Sequence, residues 1–269
     1  MMALKRNLYI SWQMESMFNL GSFVSRKMTY QEMIYAAETI AIMQPFNVIL
    51  MNVSLKNLEI IFSIIDKIQD MSPNSNIIVH FDTLDFSFED FIYFLSKIKI
   101  AQFNISNFLA AKHYNIDLLF EAAQKNCSQK KILTPVAVYH IDDFFLSHPL
   151  EIVSAIAPLQ LKRLNIIRGI NCGKNIDRRY VFELLGEIKV EYPGLSMHYI
   201  DPMKHINSMI ANNCDNQEIH IFPNGDVTVN PFTEIVMGNL LQSQLYTIYT
   251  QKLFDFWRNE GKRYYVLNE

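Results

Sequence analysis

The sequence predicts an α/β fold: a partial (βα)6-type barrel over residues 1–205, then a small β-hairpin-plus-helix domain over 206–269. Three observations lead there. Short apolar strand patterns alternate with amphipathic helical ones through the first 200 residues, which implies parallel strands joined by right-handed crossovers. After Asp201 the rhythm changes to two short strand patterns flanking Pro223-Asn224-Gly225-Asp226, a sequence with hairpin-turn chemistry. A composition that is 50% hydrophobic over 269 residues suffices for one large core, or for a main core with a small appendage.

Taken in order, residues 7–12 read as the first strand. A helix follows over 30–44, with Thr29 and Glu32 spaced to cap each other and Pro45 helping to end it. The second strand is 47–51. In the next helix, over 58–68, Leu58, Ile61, Ile65 and Ile68 share one face. Strands are then expected at 76–81, 101–105, 133–138, 163–167 and 195–200. Helices are expected between them at 88–97, 117–126, 150–157 (opened by Pro149) and 178–192. In the final segment 219–222 and 227–229 are the hairpin arms, Gly238-Asn239 is a break, and 243–259 is a helix.

Composition excludes several function classes. With 24 Lys+Arg against 27 Asp+Glu the net charge is −3, so no bulk field favours nucleic acid or an anionic membrane, and neither is an expected partner. The apolar stretch after Lys5 and Arg6 is cut short by Gln13 and Glu15. No run approaches the ~18 apolar residues of a spanning helix, and the expected location is the cytoplasm. Only 8 glycines occur, the nearest pair being Gly169 and Gly173, so neither a Walker loop nor a Gly-x-Gly-x-x-Gly loop is present. Cys127, Cys172 and Cys214 are far apart, which fits a reduced compartment and is too few for a cysteine-only metal site.

The most specific pattern begins at Cys214. Ten residues separate it from Gly225-Asp226-Val227, and Pro231-Phe232 and Gly238-Asn239-Leu240 follow before an amphipathic helix. This resembles the start of a SPASM or twitch domain, which follows the barrel in radical S-adenosylmethionine (SAM) enzymes that modify peptides and proteins. In that family the turn glycine is followed five residues later by cysteine. Here that position is Asn230, and no cysteine follows Cys214.

The barrel is similar to the same family, with its ligands replaced. Phe18-Asn19-Leu20-Gly21-Ser22-Phe23-Val24-Ser25 aligns with the family's Cys-Asn-Leu-x-Cys-x-x-Cys after the first strand. Phe18, Ser22 and Ser25 therefore stand at the three cysteine positions. Phenylalanine cannot ligate iron, and serine is a hard, weakly acidic donor for a site that needs soft thiolate. Met51-Asn52-Val53-Ser54 replaces the Gly-Gly-Glu-Pro that grips the cofactor's methionine amino group, whereas Asn104-Ile105-Ser106 keeps the family's Ile-Ser segment. The resemblance implies a radical-SAM-like partial barrel with a truncated SPASM/twitch-like domain, from which both the [4Fe–4S] cluster and S-adenosylmethionine have been lost. It is similar to the pseudo-radical-SAM proteins, of the GG-Bacteroidales type, that occur beside true radical enzymes and short Gly-Gly-leader peptides. It implies a non-catalytic accessory protein for ribosomally made, modified peptides, with a precursor peptide, a radical SAM maturase, or both as partners.

A repurposed enzyme site is the alternative. Catalytic groups of a βα barrel sit at the C-terminal ends of its strands, where His80, Asp82, His140, Asp142 and His198 fall, together with Asp143 and Asp201. Such imidazoles and carboxylates could hold a metal or supply acid and base. The plainer reading makes Asp142 and Asp143 helix caps and Asp82 a turn residue, and no pair has a diagnostic metal-ligand spacing. Cys214, unpaired, reads most simply as a small buried hydrophobe. The segment 162–179 carries Lys162, Arg163, Arg168, Lys174, Arg178 and Arg179 against Asp177 alone. Arg163, Arg168, Arg178 and Arg179 are the candidates for receiving an acidic peptide or a partner's carboxylates, beside the plainer reading of a solvated rim.

Overall fold

The computed structural model describes residues 8–14, 26–81, 87–97, 102–106, 136–141, 143–156, 163–168, 177–200, 217–229, 235–253 and 256. The first elements are β1 (Leu8–Gln13), α1 (Tyr30–Ile42), β2 (Asn47–Met51), a 3₁₀ turn (Leu55–Asn57), α2 (Leu58–Met71) and β3 (Asn76–Phe81). Next come α3 (Phe88–Lys97), β4 (Gln102–Ser106), β5 (Val136–Ile141), α4 (Asp143–Ser147) and α5 (Pro149–Ile156). The last are β6 (Arg163–Arg168), α6 (Arg178–Glu191), β7 (Ser196–Ile200), β8 (Gln217–Ile221), β9 (Asp226–Thr228), β10 (Gly238–Asn239), α7 (Leu245–Ile248) and a π-helical turn (Tyr249–Leu253). The chain forms two compact units, Met1–Val79 with Met203–Glu269, and His80–Pro202. The division falls inside β3.

In the first unit the strand order is β10-β9-β8-β1-β2-β3. β1 pairs parallel with both β2 and β8, while β8–β9 and β9–β10 are antiparallel. Register sorts the side chains. Ile10 and Trp12 align with Val48 and Leu50 on one side and with Ile219 and Ile221 on the other, and all six are essentially solvent-free. The buried faces of α1 (Ala36, Ala37, Ile40, Ala41) and α2 (Ile61, Ile64, Ile65, Ile68) complete that core. Each large aliphatic contributes about 1.5–3 kcal/mol on burial. A one-residue slip would replace Ile10 and Trp12 by Ser11 and Gln13, so the register is firmly set.

Helix ends follow local chemistry. Thr29 and Glu32 form the expected reciprocal cap: the Thr29 N–H donates to Glu32 Oε2 at 2.7 Å and the Glu32 N–H to Thr29 Oγ1 at 3.4 Å. The Thr29 backbone N–H is the main cause that holds the Glu32 carboxyl below its ordinary range. Asn76, opening β3, ties to β2 through Asn47 Oδ1 at 3.1 Å.

The second unit has strand order β4-β5-β6-β7, all parallel. Aromatic side chains join strands to helices: Phe81 meets Phe91 and Phe94 of α3 at 6.0 and 5.5 Å, Tyr139 meets Phe145 of α4, and Tyr199 meets Phe182 of α6. Leu164, Ile166, Tyr139 and Ile141 are buried with Val181, Leu184, Leu185 and Ile188.

Three elements depart from the sequence expectation. The helix expected over 243–259 is a short α-helix, Leu245–Ile248, followed by a π-helical turn over Tyr249–Leu253, while residues 133–135 of the expected fifth strand lie outside the described residues. The short α4 precedes α5, where one helix over 150–157 was expected. Gly238-Asn239, expected only as a break, pairs as β10 with β9. The expected helix at 117–126 lies outside the described residues.

Candidate functional site

The hairpin that carries the specific motif is built by short-range chemistry. Gly225 has φ +87, a left-handed conformation that glycine takes without steric cost, and its N–H donates to Phe222 O. Asn239 Nδ2 donates to Asp226 Oδ1 at 2.8 Å and to Asn224 O at 3.1 Å, while Asn239 Oδ1 accepts the Leu241 N–H at 2.8 Å. Asn224 Nδ2 reaches Asp226 Oδ2 at 2.6 Å. A Cβ on Gly238 would lie 2.9 Å from Ile248, so that glycine allows α7 its close approach. The Gly-Asp-Val and Gly-Asn-Leu signatures therefore have complete structural roles.

The segment bearing positions 18, 22 and 25 is held at both ends. Met14 N–H donates to Met51 O at 2.9 Å, and Met28 N–H donates to Pro223 O at 2.8 Å. Asn52, the second residue of the segment that replaces Gly-Gly-Glu-Pro, has φ +56, a region that asparagine tolerates better than most residues.

One polar row crosses the first unit. Ser11 aligns with His220, and His220 aligns with Thr228, so the three share a face of β1, β8 and β9. Ser11 Oγ and His220 Nδ1 are 2.8 Å apart, and Phe222 stands edge-on to the imidazole at 4.6 Å. His220 is fully buried, and its Nε2 has no hydrogen bond among the described residues. Burial pushes its pKa down to about 3, so the ring is neutral at ordinary pH and far too weak a base to deprotonate serine. The pair is a structural contact. His220 was missed at the sequence level, although period-two alternation between Ile219 and Ile221 places it on the opposite face.

In the second unit, register brings His198 level with Asn165, and Asn165 level with Val138. His140 is in register with Ile167 of β6. His198 is exposed, with Nε2 3.1 Å from Ser196 Oγ. His80 is buried on the face of β3 opposite Phe81. Among the described residues no three His, Cys, Asp or Glu side chains are grouped to hold a metal. Asp82, Asp142, Phe18, Ser22, Ser25, Cys214 and Asn230 lie outside those residues.

Arg163 opens β6 and Arg168 closes it, about 16 Å apart along the strand. Arg163 Nε donates to the buried Asn165 Oδ1 at 3.0 Å. Arg178 and Arg179 open α6, where Asp177 caps the helix by accepting the Arg179 N–H at 2.9 Å. No described helix is long and apolar enough to cross a membrane.

No protein-family model and no curated protein matches this sequence. Solved structures do match. Streptococcus suis SuiB bound to S-adenosylmethionine superposes with a TM-score of 0.60 at 12% identity, covering 96% of this chain and 66% of SuiB. SuiB bound to precursor peptide SuiA gives a TM-score of 0.61 at 12% identity, over 94% of this chain and 67% of SuiB. Native anSMEcpe with bound AdoMet gives 0.61 at 9% identity, over 91% and 81%. The chain thus spans about two thirds of SuiB's length. Likeness at these identities concerns the fold: this chain has the α/β architecture with parallel strands that its sequence predicts, and it shares that fold with SuiB and anSMEcpe.

Proposed function

We propose that this chain is a non-catalytic, radical-SAM-like accessory protein that binds a ribosomally made precursor peptide, a true radical SAM maturase, or both. The observation that carries the reading is the donor set at the cluster positions: Phe18, Ser22 and Ser25, on a fold shared with a protein seen bound to its precursor peptide. One aromatic ring and two hydroxyls do not fit a [4Fe–4S] cluster, which needs soft thiolates. Without a cluster there is no electron for reductive cleavage of a sulfonium. What the residues can do is hold and position, with backbone edges and arginines offering the contacts.

The test is titration of the purified chain against each short peptide and each radical SAM enzyme whose gene neighbours its own. The expected result is a saturable complex with at least one of them and no turnover of S-adenosylmethionine by this chain alone. No complex with either overturns the reading.

A further inference from the structure

We propose that β7 is the edge at which the second unit takes an extended peptide as an added strand, with Arg163 receiving an acidic residue of that peptide. This rests on the peptide-binding reading above and names its site. β7 pairs with β6 on one side, and among the described residues no strand pairs on its other side. In a parallel ladder, alternate residues direct both N–H and C=O to opposite neighbours. Every second residue of this five-residue strand therefore presents donor and acceptor outward. Its sequence, Ser-Met-His-Tyr-Ile, has no proline and no Lys, Arg, Asp or Glu, the usual means of blunting an edge. The other sheet edge, β10, is two residues long, and its Asn239 side chain is committed to the turn.

Side chains specify the occupant further. Ser196 and His198 are exposed on one face of β7, and Arg163 aligns with Ser196 on that face. Arg163 is exposed and carries no ion pair among the described residues; its one hydrogen bond goes to Asn165. A strand added beside β7 would lie two strand spacings from β6, on the order of 10 Å, within combined reach of an arginine and a glutamate. On the opposite face Tyr199 stacks with Phe182, which remains 47% exposed, and suits apolar residues. The fitting partner is an extended segment with apolar residues on one face and an acidic residue on the other.

The experiment uses the full chain and, as a synthetic probe, the short peptide that binds in the titration above. Amide hydrogen exchange should show new protection at 196–200 when the peptide is added. Met197→Pro and His198→Pro each remove one amide, and alternation makes one of the two outward. The variant that keeps wild-type melting should lose about tenfold or more in affinity. Should both variants fail to fold, single N-methylations along the peptide read the same ladder: affinity should fall at every second position. Arg163→Glu should weaken binding several-fold, with the loss diminishing in high salt.

Wild-type protein that binds no peptide overturns the peptide reading and this edge together. Binding with no protection at 196–200, or with no period of two in the N-methyl series, overturns the edge alone. Self-association of the free chain that protects 196–200 assigns the edge to a second copy and also overturns it.

Discussion

Asn239 Nδ2 lies 2.8 Å from Asp226 Oδ1, and this hydrogen bond joins the two halves of the motif that resembles a SPASM domain. The same asparagine caps the Leu241 N–H and reaches Asn224 O, so one side chain satisfies three groups of the turn. The likeness in sequence around 225 and 239 thus has a physical origin, because both positions build the hairpin whichever ligands follow.

Asp226→Ala and Asn239→Ala should each destabilise the fold by about 1–3 kcal/mol, since each strands a partner of a charge-assisted bond. In a double-mutant cycle the combined loss should be less than the sum of the two, because both break the same contact. Denaturant melts of the four proteins measure this. Strict additivity would mean the two groups act independently.

Gly238→Ala should be costly for a different reason. The added methyl would meet Ile248 at 2.9 Å, in a core where Leu240, Leu245 and Ile248 are almost fully buried. Overpacking of this kind costs about 1–3 kcal/mol. The double variant Gly238→Ala, Ile248→Ala should recover part of that loss, and a thermal melt that shows no recovery would place the strain elsewhere.

How far the sequence discloses this molecule depends on the range of each interaction. The Thr29–Glu32 cap, the turn at Gly225 and the strands at 47–51 and 76–81 rest on neighbours in the chain, and local pattern identifies them. The pairing of β8 with β1 joins residues such as Ser11 and His220, 209 positions apart, and no local signal reports it. Of the site residues, register pairs His140 with Ile167 and His198 with Asn165 in the second unit. It also sets Arg163 and Arg168 at opposite ends of β6.

His220 should make stability depend on pH in a defined window. Its folded pKa is about 3 against an ordinary 6.5, so between these values the unfolded chain binds the proton and the folded chain does not. Stability is therefore complete above pH 6.5 and falls as pH is lowered towards 3, by about 2 kcal/mol at pH 5 from this group. His220→Gln should be less stable at pH 7.5 and should show a shallower decline from pH 7 to 5. Urea melts across that range check it, and identical slopes for both proteins would remove His220 as the cause.

The replaced cluster positions give the last prediction. Anaerobic iron–sulfide reconstitution of the wild-type chain should leave essentially no bound iron and no broad visible absorbance of a thiolate-bound cluster, because Phe18, Ser22 and Ser25 supply no thiolate. The segment that carries them is fastened at its entry by Met14 N–H to Met51 O and at its exit by Met28 N–H to Pro223 O. Its ends are thus held whichever side chains lie between. The triple variant Phe18→Cys, Ser22→Cys, Ser25→Cys should then take up iron, to about four per chain, with the absorbance appearing in proportion. Serine in place of any one of the three should lower both readouts together. About four irons on the wild-type chain would mean that Cys127, Cys172 or Cys214 assembles a site from other positions, and the accessory-protein reading would be wrong.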